Sequence, residues 1–161
     1  MAPITLRRAV DADADAIGRT FDSAVRDQWS YLGELAQAPM FDAAEWRNEI
    51  ASHAAPNALI VAEDERGEVV GFTAVHPDDG EMYLLFVAPE HTCRGIGHRL
   101  LDAAHDALRM HGCSEAFLYT HGDNRRAQAV YAAAGYYPDG SVRESEFRGI
   151  AIREVRLVKQ L

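Results

Sequence analysis

The chain opens on an alternation: in "ITLRRA", Ile4 and Leu6 fall on one side and Thr5 and Arg7 on the other, the period of a half-buried strand. The period then lengthens. In "DADADAIGRTFDSAVRDQW", Ile17, Phe21, Ala24 and Val25 recur at helical spacing, and a second helical stretch runs from about Asp42 to His53. Between them, "SYLGELAQAPM" shows no period and reads as a loop. Two apolar runs, "ALIVAED" and "EVVGFTAVH", flank the turn signal "ERG", and "PDDG" leads into a third run, "EMYLLFV". This predicts a meander of three strands. Beyond it the pattern alternates: a helix from about Gly95 to Met110, a strand "AFLYTH", a helix from Asn124 to Ala134, then strands near "YYPDG" and in "GIAIREVRLVK". The mixture predicts an α/β (α+β) fold, with one mixed, mostly antiparallel sheet of about six to seven strands flanked by about four helices. Its second half reads β-α-β-α-β.

Composition narrows the class. With 161 residues, 48% of them apolar, the chain is long enough to bury a core without staples, and no linker-like tract divides it, so one domain over 1–161 is expected. Two cysteines, Cys93 and Cys113, are too few for a disulfide framework, and no signal-like segment opens the chain, which makes a cytoplasmic protein the expectation. Charges interrupt every hydrophobic stretch before it reaches the ~20 apolar residues of a membrane span. The net charge of −9 disfavours broad adhesion to nucleic acid or acidic lipid and is compatible with a cationic substrate.

Within this frame, "PEHTCRGIGHRLL" places Gly95 and Gly97 where a helix begins, after the apolar strand "EMYLLFV". A helix start carries four N–H groups without internal partners, and glycines allow a ligand to approach them, so the turn is suited to an anion. A phosphate-binding loop of the nucleotide-hydrolase type needs Lys and Ser or Thr after the second glycine, where His98 and Arg99 stand. A dinucleotide fingerprint needs a third glycine where Leu100 stands. Residues alone leave open a tight turn with no ligand.

A second stretch, "NRRAQAVYAAAGYY", sets Asn124 and Tyr131 seven residues apart, nearly two turns, on one helix face. Gly135 ends the helix. Asn124 is also a good N-cap and Tyr131 a good core residue, so a plain capped helix is the competing reading.

Together the two stretches resemble a known family. "FVAPEHTCRGIGHRLL" is similar to the coenzyme A pyrophosphate motif of the GNAT superfamily of N-acetyltransferases, with Thr92 in place of the usual Gln or Arg and the common "RGIG" intact. "NRRAQAVYAAAGYY" resembles that superfamily's second signature and follows in the expected order. The opening and closing segments also look like those of uncharacterised bacterial members; the stretch from Trp29 to Asn57 is the least family-like, and members usually build acceptor specificity there. The resemblance implies acetyl-CoA as co-substrate. Its pyrophosphate would rest on the backbone amides across Arg94, Gly95, Ile96, Gly97 and His98, and its pantetheine would pair with the backbone at Phe86 and Val87 and hydrogen-bond Asn124. Tyr131 would lie near the sulfur; a phenol with a pKa near ~10 is still protonated at neutral pH and can act as general acid toward the leaving thiolate.

An attacking amine arrives as ammonium and must lose a proton. Glu81, at the start of the strand that runs into the turn, resembles the general-base glutamate of one GNAT branch; His121, at the end of "AFLYTH", and water are the alternatives. The expected reaction is acetyl transfer to a small-molecule or peptide amine in a ternary complex, with a non-catalytic acyl-CoA-binding regulatory module as the alternative. Trp29, Tyr31 and Met40 are candidates for the acceptor wall. Arg125 and Arg126 are open between the cofactor's 3′-phosphate and plain surface charge. Cys93 receives no catalytic role. His98, Asp102 and His105 have metal-ligand spacing, but they read as the solvated face of an amphipathic helix with Arg109, so no metal is expected. The C-terminal "EVRLVK" reads as an exposed edge strand able to pair with a second copy in a homodimer.

Overall fold

The computed structural model describes residues 3–161; residues 1 and 2 of the domain expected over 1–161 lie outside the described residues. Among the described residues seven strands form a single sheet: β1 (Thr5–Arg8), β2 (Ala58–Glu63), β3 (Val69–His76), β4 (Glu81–Val87), β5 (Glu115–His121), β6 (Tyr137–Phe147) and β7 (Ile150–Gln160), in the order β1-β2-β3-β4-β5-β7-β6. Every neighbouring pair is antiparallel except β4 and β5. Among the described residues four α-helices cover it: α1 (Ala14–Gln28), α2 (Ala43–Ser52), α3 (Ile96–Met110) and α4 (Arg125–Ala133). The fold class and the three-strand meander match the pattern of apolar residues.

Burial explains the architecture. β3 lies at the centre and is buried along all but its last residue. Phe72 and Ala74 pack on one face with Ile17, Phe21 and Val25 of α1 and Trp46 of α2. On the other face Val70 meets Ile96 and Leu100, and Val75 meets Leu101 and Leu108, all from α3. Val75, adjacent to Ala74, faces the α3 side by ordinary strand alternation, and the register shift between them leaves Tyr83 of β4 as the extra, unpaired residue. Truncating a fully buried side chain such as Phe72 is worth ~3–5 kcal/mol by the usual cost of a core cavity. α2 is fixed at its start by a reciprocal cap: Asp42 Oδ1 accepts from the Glu45 N–H at 2.9 Å, and the Asp42 N–H donates to Glu45 Oε2 at 2.7 Å.

Three expectations need correction. "SYLGELAQAPM" is not an open loop, because Ser30–Ala36 winds as 3₁₀ turns that reverse at Gly33, whose φ of 60° suits a residue without a side chain. Its apolar residues Leu32 and Met40 pack against the α1 core, and this tertiary burial has no sequence period. The strand predicted near "YYPDG" is the start of an 11-residue strand that continues through "SVRESEF", whose exposed polar face hides its alternation. The C-terminal strand is not an edge: β7 lies between β5 and β6, so the pairing groups offered for a homodimer are already used.

Candidate functional site

The one parallel junction positions the site. β4 and β5 pair only where Glu81 meets Phe117, with the Phe117 N–H donating to the Gly80 carbonyl at 3.0 Å; beyond that point no strand faces the free side of β4 among the described residues. The Ala88 N–H bonds to the Val70 carbonyl at 2.9 Å, so by antiparallel alternation Phe86 spends its backbone groups on Phe72, and Leu85 and Val87 turn theirs to the gap. This corrects the expectation for Phe86, whose ring is also buried against Phe21 at 4.8 Å between centroids. A backbone edge with unpaired amides and carbonyls requires a partner.

Two cavities open into this gap. The smaller, about 420 Å³, is bordered by Val87, Thr92, Cys93, Gly95, Gly97 and His98 on one side and by Arg126, Val130 and Tyr131 of α4 on the other. Cys93 (φ 60°) and Gly95 (φ 79°) both sit in the left-handed region, and Gly95, the N-cap of α3, makes no side-chain capping bond. The first amides of α3 therefore remain free for a ligand's acceptors, helped by the positive end of the helix dipole. A Cβ built on Gly97 would meet only Val87 Cγ2, at 3.8 Å, so the protein itself leaves room there. The Thr92 hydroxyl donates to the Pro89 carbonyl at 2.8 Å, holding the turn before the glycines. Ile96 is buried and fixes the turn to the core, whereas Arg94 is exposed and does not border the cavity. Arg126 borders it while paired with Asp27 of α1 at 2.8 Å; Arg125 is exposed.

The larger cavity, about 690 Å³, draws its walls from α1, α2, β4, β5, α4, β6 and β7. Gln28, Leu85, Ala127 and Tyr131 border both cavities, so the two adjoin with Tyr131 at the junction. Tyr131 is buried, which pushes its phenol above the ordinary tyrosine range and keeps it protonated. Its ring is wedged edge-on against Tyr136 at 5.8 Å. Asn124 is buried and borders the larger cavity; its Oδ1 accepts from the Ala127 N–H at 3.1 Å, so its carbonyl caps α4.

The larger cavity is aromatic and acidic. Trp29, Phe41, Trp46 and Tyr83 supply apolar wall, and Glu45, Glu49, Glu81 and Glu154 supply carboxylates. Arg143 pairs with Glu154 at 2.6 Å and lies 3.7 Å over the Tyr119 ring. Trp29 stacks on His121 at 4.3 Å between centroids. Tyr31 does not border the cavity; it reaches the site through His121, with its hydroxyl 2.6 Å from Nδ1. Burial pushes the His121 imidazole below its ordinary range, partly offset by Glu154 and Asp123, and pushes the Tyr31 phenol up. His121 is thus neutral at pH 7.

The structure brings together Glu81, His121, Trp29, Asn124 and Tyr131. It separates the proposed metal-spaced trio: His105 is not on the solvated face but buried, with Nε2 2.8 Å from the Tyr136 hydroxyl, and burial lowers its pKa. The face of α3 that packs inward is wide enough to include it because Tyr136 comes from a distant segment. Sequence reading missed Glu49, Tyr83, Arg143 and Glu154. The last two lie in strands whose polar alternation carries no motif, and only the β6–β7 register, which sets Arg143 opposite Glu154, joins them.

This split sheet, with a bare helix start in the gap, is an acetyltransferase fold. A GCN5-related N-acetyltransferase from Rhodopseudomonas palustris superposes on it with a TM-score of 0.80 at 21% identity, covering 100% of this chain and 98% of that one. A GNAT superfamily phosphinothricin acetyltransferase from Sinorhizobium meliloti, solved in complex with AcCoA, does so with a TM-score of 0.75 at 21% identity, covering 98% and 88%. In sequence, the chain is 30% identical over 144 residues to the uncharacterized N-acetyltransferase YhfO of Bacillus subtilis (strain 168), across 84% of this chain and 91% of that protein. The Acetyltransferase (GNAT) family profile matches residues 21–136. The chain belongs to the Acetyltransferase (GNAT) family and is an acetyltransferase. Among the described residues no helix is long and apolar enough to cross a membrane.

Proposed function

We propose that the protein transfers the acetyl group of acetyl-CoA to the primary amine of a cationic acceptor with an apolar body, in a ternary complex. The observation that carries this reading is the adjoining pair of cavities with Tyr131 at their junction, which lets two substrates meet without a covalent intermediate on the protein. Bound acetyl-CoA supplies an acetyl group already activated as a thioester. The smaller cavity fits such a molecule. Uncapped amides at Ile96, Gly97 and His98 hold the pyrophosphate, the exposed Arg94 adds positive charge to the turn without touching the cavity, and the free backbone of Leu85 and Val87 takes the pantetheine amides. Asn124, whose carbonyl is engaged, offers its side-chain N–H groups.

The residues of the chain then divide the work. Carboxylates of the larger cavity attract the acceptor ammonium, and its aromatic rings cover the carbon skeleton. Glu81 takes the ammonium proton so that the nitrogen lone pair can attack. The Tyr131 hydroxyl hydrogen-bonds the sulfur as charge develops and gives it a proton as the carbon–sulfur bond breaks, and the second proton, shed by the acylated nitrogen, restores the phenol.

A thermal titration tests the first half: acetyl-CoA raises the melting temperature and NAD leaves it unchanged. An amine panel followed by free CoA release tests the second, with alkyl amines carrying an apolar or aromatic body outrunning amines that carry a free carboxylate. A panel led by carboxylate-bearing amines would remove the acceptor assignment.

A further inference from the structure

Beside Glu81 stand two histidines that the reaction above leaves unused. His76, the last residue of β3, is opposite Glu81 in the strand register, and its Nδ1 lies 3.6 Å from Glu81 Oε2. Its Nε2 lies 3.0 Å from Nε2 of His53. His53, just after α2, is buried, and its Nδ1 lies 2.9 Å from the backbone carbonyl of Glu49. The Tyr83 ring stacks on both imidazoles, at 4.8 Å from His76 and 6.2 Å from His53.

One backbone carbonyl sets the polarity of this chain of groups. A carbonyl oxygen only accepts, so His53 Nδ1 carries hydrogen and its Nε2 offers a lone pair. The Ser52 hydroxyl, 3.2 Å from the same Nδ1, does not reverse this, because it donates its own hydrogen to the Glu49 carbonyl at 2.8 Å. His76 must therefore donate Nε2–H to His53, and in its neutral form its Nδ1 lone pair faces the Glu81 carboxylate. A base-form nitrogen aimed at a carboxylate is unhelpful at rest. It becomes an acceptor once that carboxylate has gained a proton.

We propose that Glu81 and His76 work as a dyad in deprotonating the acceptor, with His53 as the positioning residue that fixes the His76 tautomer; this rests on Glu81 being the base. The acceptor N–H bond breaks as the Glu81 O–H bond forms. That proton then moves to His76 Nδ1, which restores the carboxylate and leaves an imidazolium still donating Nε2–H to His53. The partly exposed His76 releases the proton to solvent after the product leaves. The 3.6 Å separation is longer than a hydrogen bond and closes by side-chain rotation when the acceptor binds. Glu49 from α2, Glu81 and Tyr83 from β4, and Arg8 from β1, whose guanidinium lies 3.5 Å from the His53 backbone carbonyl, are the titratable and charged groups that share the cluster with the two imidazoles.

Long-range ¹H–¹⁵N spectra of the ¹⁵N-labelled protein test the arrangement without any acceptor. His53 is expected as the Nδ1–H tautomer and His76 as the Nε2–H tautomer, and His53→Leu is expected to scramble His76; a His76 Nδ1–H tautomer in the wild type overturns the proposal. Kinetics with the fastest amine of the panel test the chemistry. His76→Gln is expected to lower kcat about tenfold at pH 7 with KM unchanged, and the deficit closes as pH approaches the amine's own pKa near ~10, where a neutral amine needs no base. His53→Gln, which keeps a carbonyl to accept from His76, is expected to restore most of what His53→Leu loses. A deficit equal at every pH assigns both histidines to structure alone and overturns the dyad. Failure of acetyl-CoA to bind would instead strike the proposed function, and the tautomer spectra would still decide the arrangement.

Discussion

The two cavities are built in opposite ways. The smaller is mostly one turn, Thr92 to His98, facing one helix, and its chemistry is backbone amide; the larger gathers single side chains from seven helices and strands, and its chemistry is carboxylate and aromatic ring. Backbone recognition of a constant anion needs only that side chains be absent, so glycines at fixed spacing suffice. Recognition of a particular acceptor needs groups converging from many directions, and those are set by the sheet register instead of by any contiguous run.

Variants can break this comparison, beginning with the residue that belongs to both sides. Tyr131→Phe keeps the ring wedged against Tyr136 and removes only the hydroxyl, so kcat is expected to fall by ~10²-fold or more while acetyl-CoA affinity by titration stays near wild type. Full activity in that variant would strip the tyrosine of its role. Next, Gly97→Ala adds a methyl group with room in the protein but in the path proposed for the pyrophosphate: acetyl-CoA affinity should weaken by about tenfold while the ligand-free melting temperature holds. Its mirror is Trp29→Ala, which strips the ring from His121 and should raise acceptor KM by about fivefold with acetyl-CoA affinity unchanged. If either variant moved both affinities, the cavities would not be separate sites.

The smallest effect comes from outside both. Burial lowers the His105 pKa in the folded state, so the unfolded chain binds its proton first as pH falls. The contribution of His105 is fully present above the unfolded value of ~6.5 and is lost as pH drops from there through the lowered folded value. Melting temperature should therefore decline on acidification below that point, and His105→Asn should flatten the decline.

Much of this was legible in the sequence, for identifiable reasons. α1 and α3 each bury one face, so their apolar residues carry a helical period, while β2 and β3 are buried on both faces and stand out as unbroken apolar runs. The glycine turn and the Asn124 to Tyr131 spacing are local, so both were visible as candidates. Of β6 only the start near "YYPDG" was, because the exposed polar face of the rest hides the alternation, and the 3₁₀ segment after Trp29 was not. His105 misled because its partner, Tyr136, lies 31 residues away. Arg143 and Glu154, eleven residues apart across the β6–β7 hairpin, have no signature as a pair, and His53 and His76 meet only because α2 packs beside β3 and β4.

The sheet also has a seam. Since β4 and β5 are laced together at a single point, the stretch from Leu84 to Val87 is zipped on one side only, and under the proposed function acetyl-CoA would serve as the missing stave. Loading should then shield the amides of Leu85 and Val87 from deuterium exchange, while Phe86, already tied to Phe72, should exchange slowly with or without cargo.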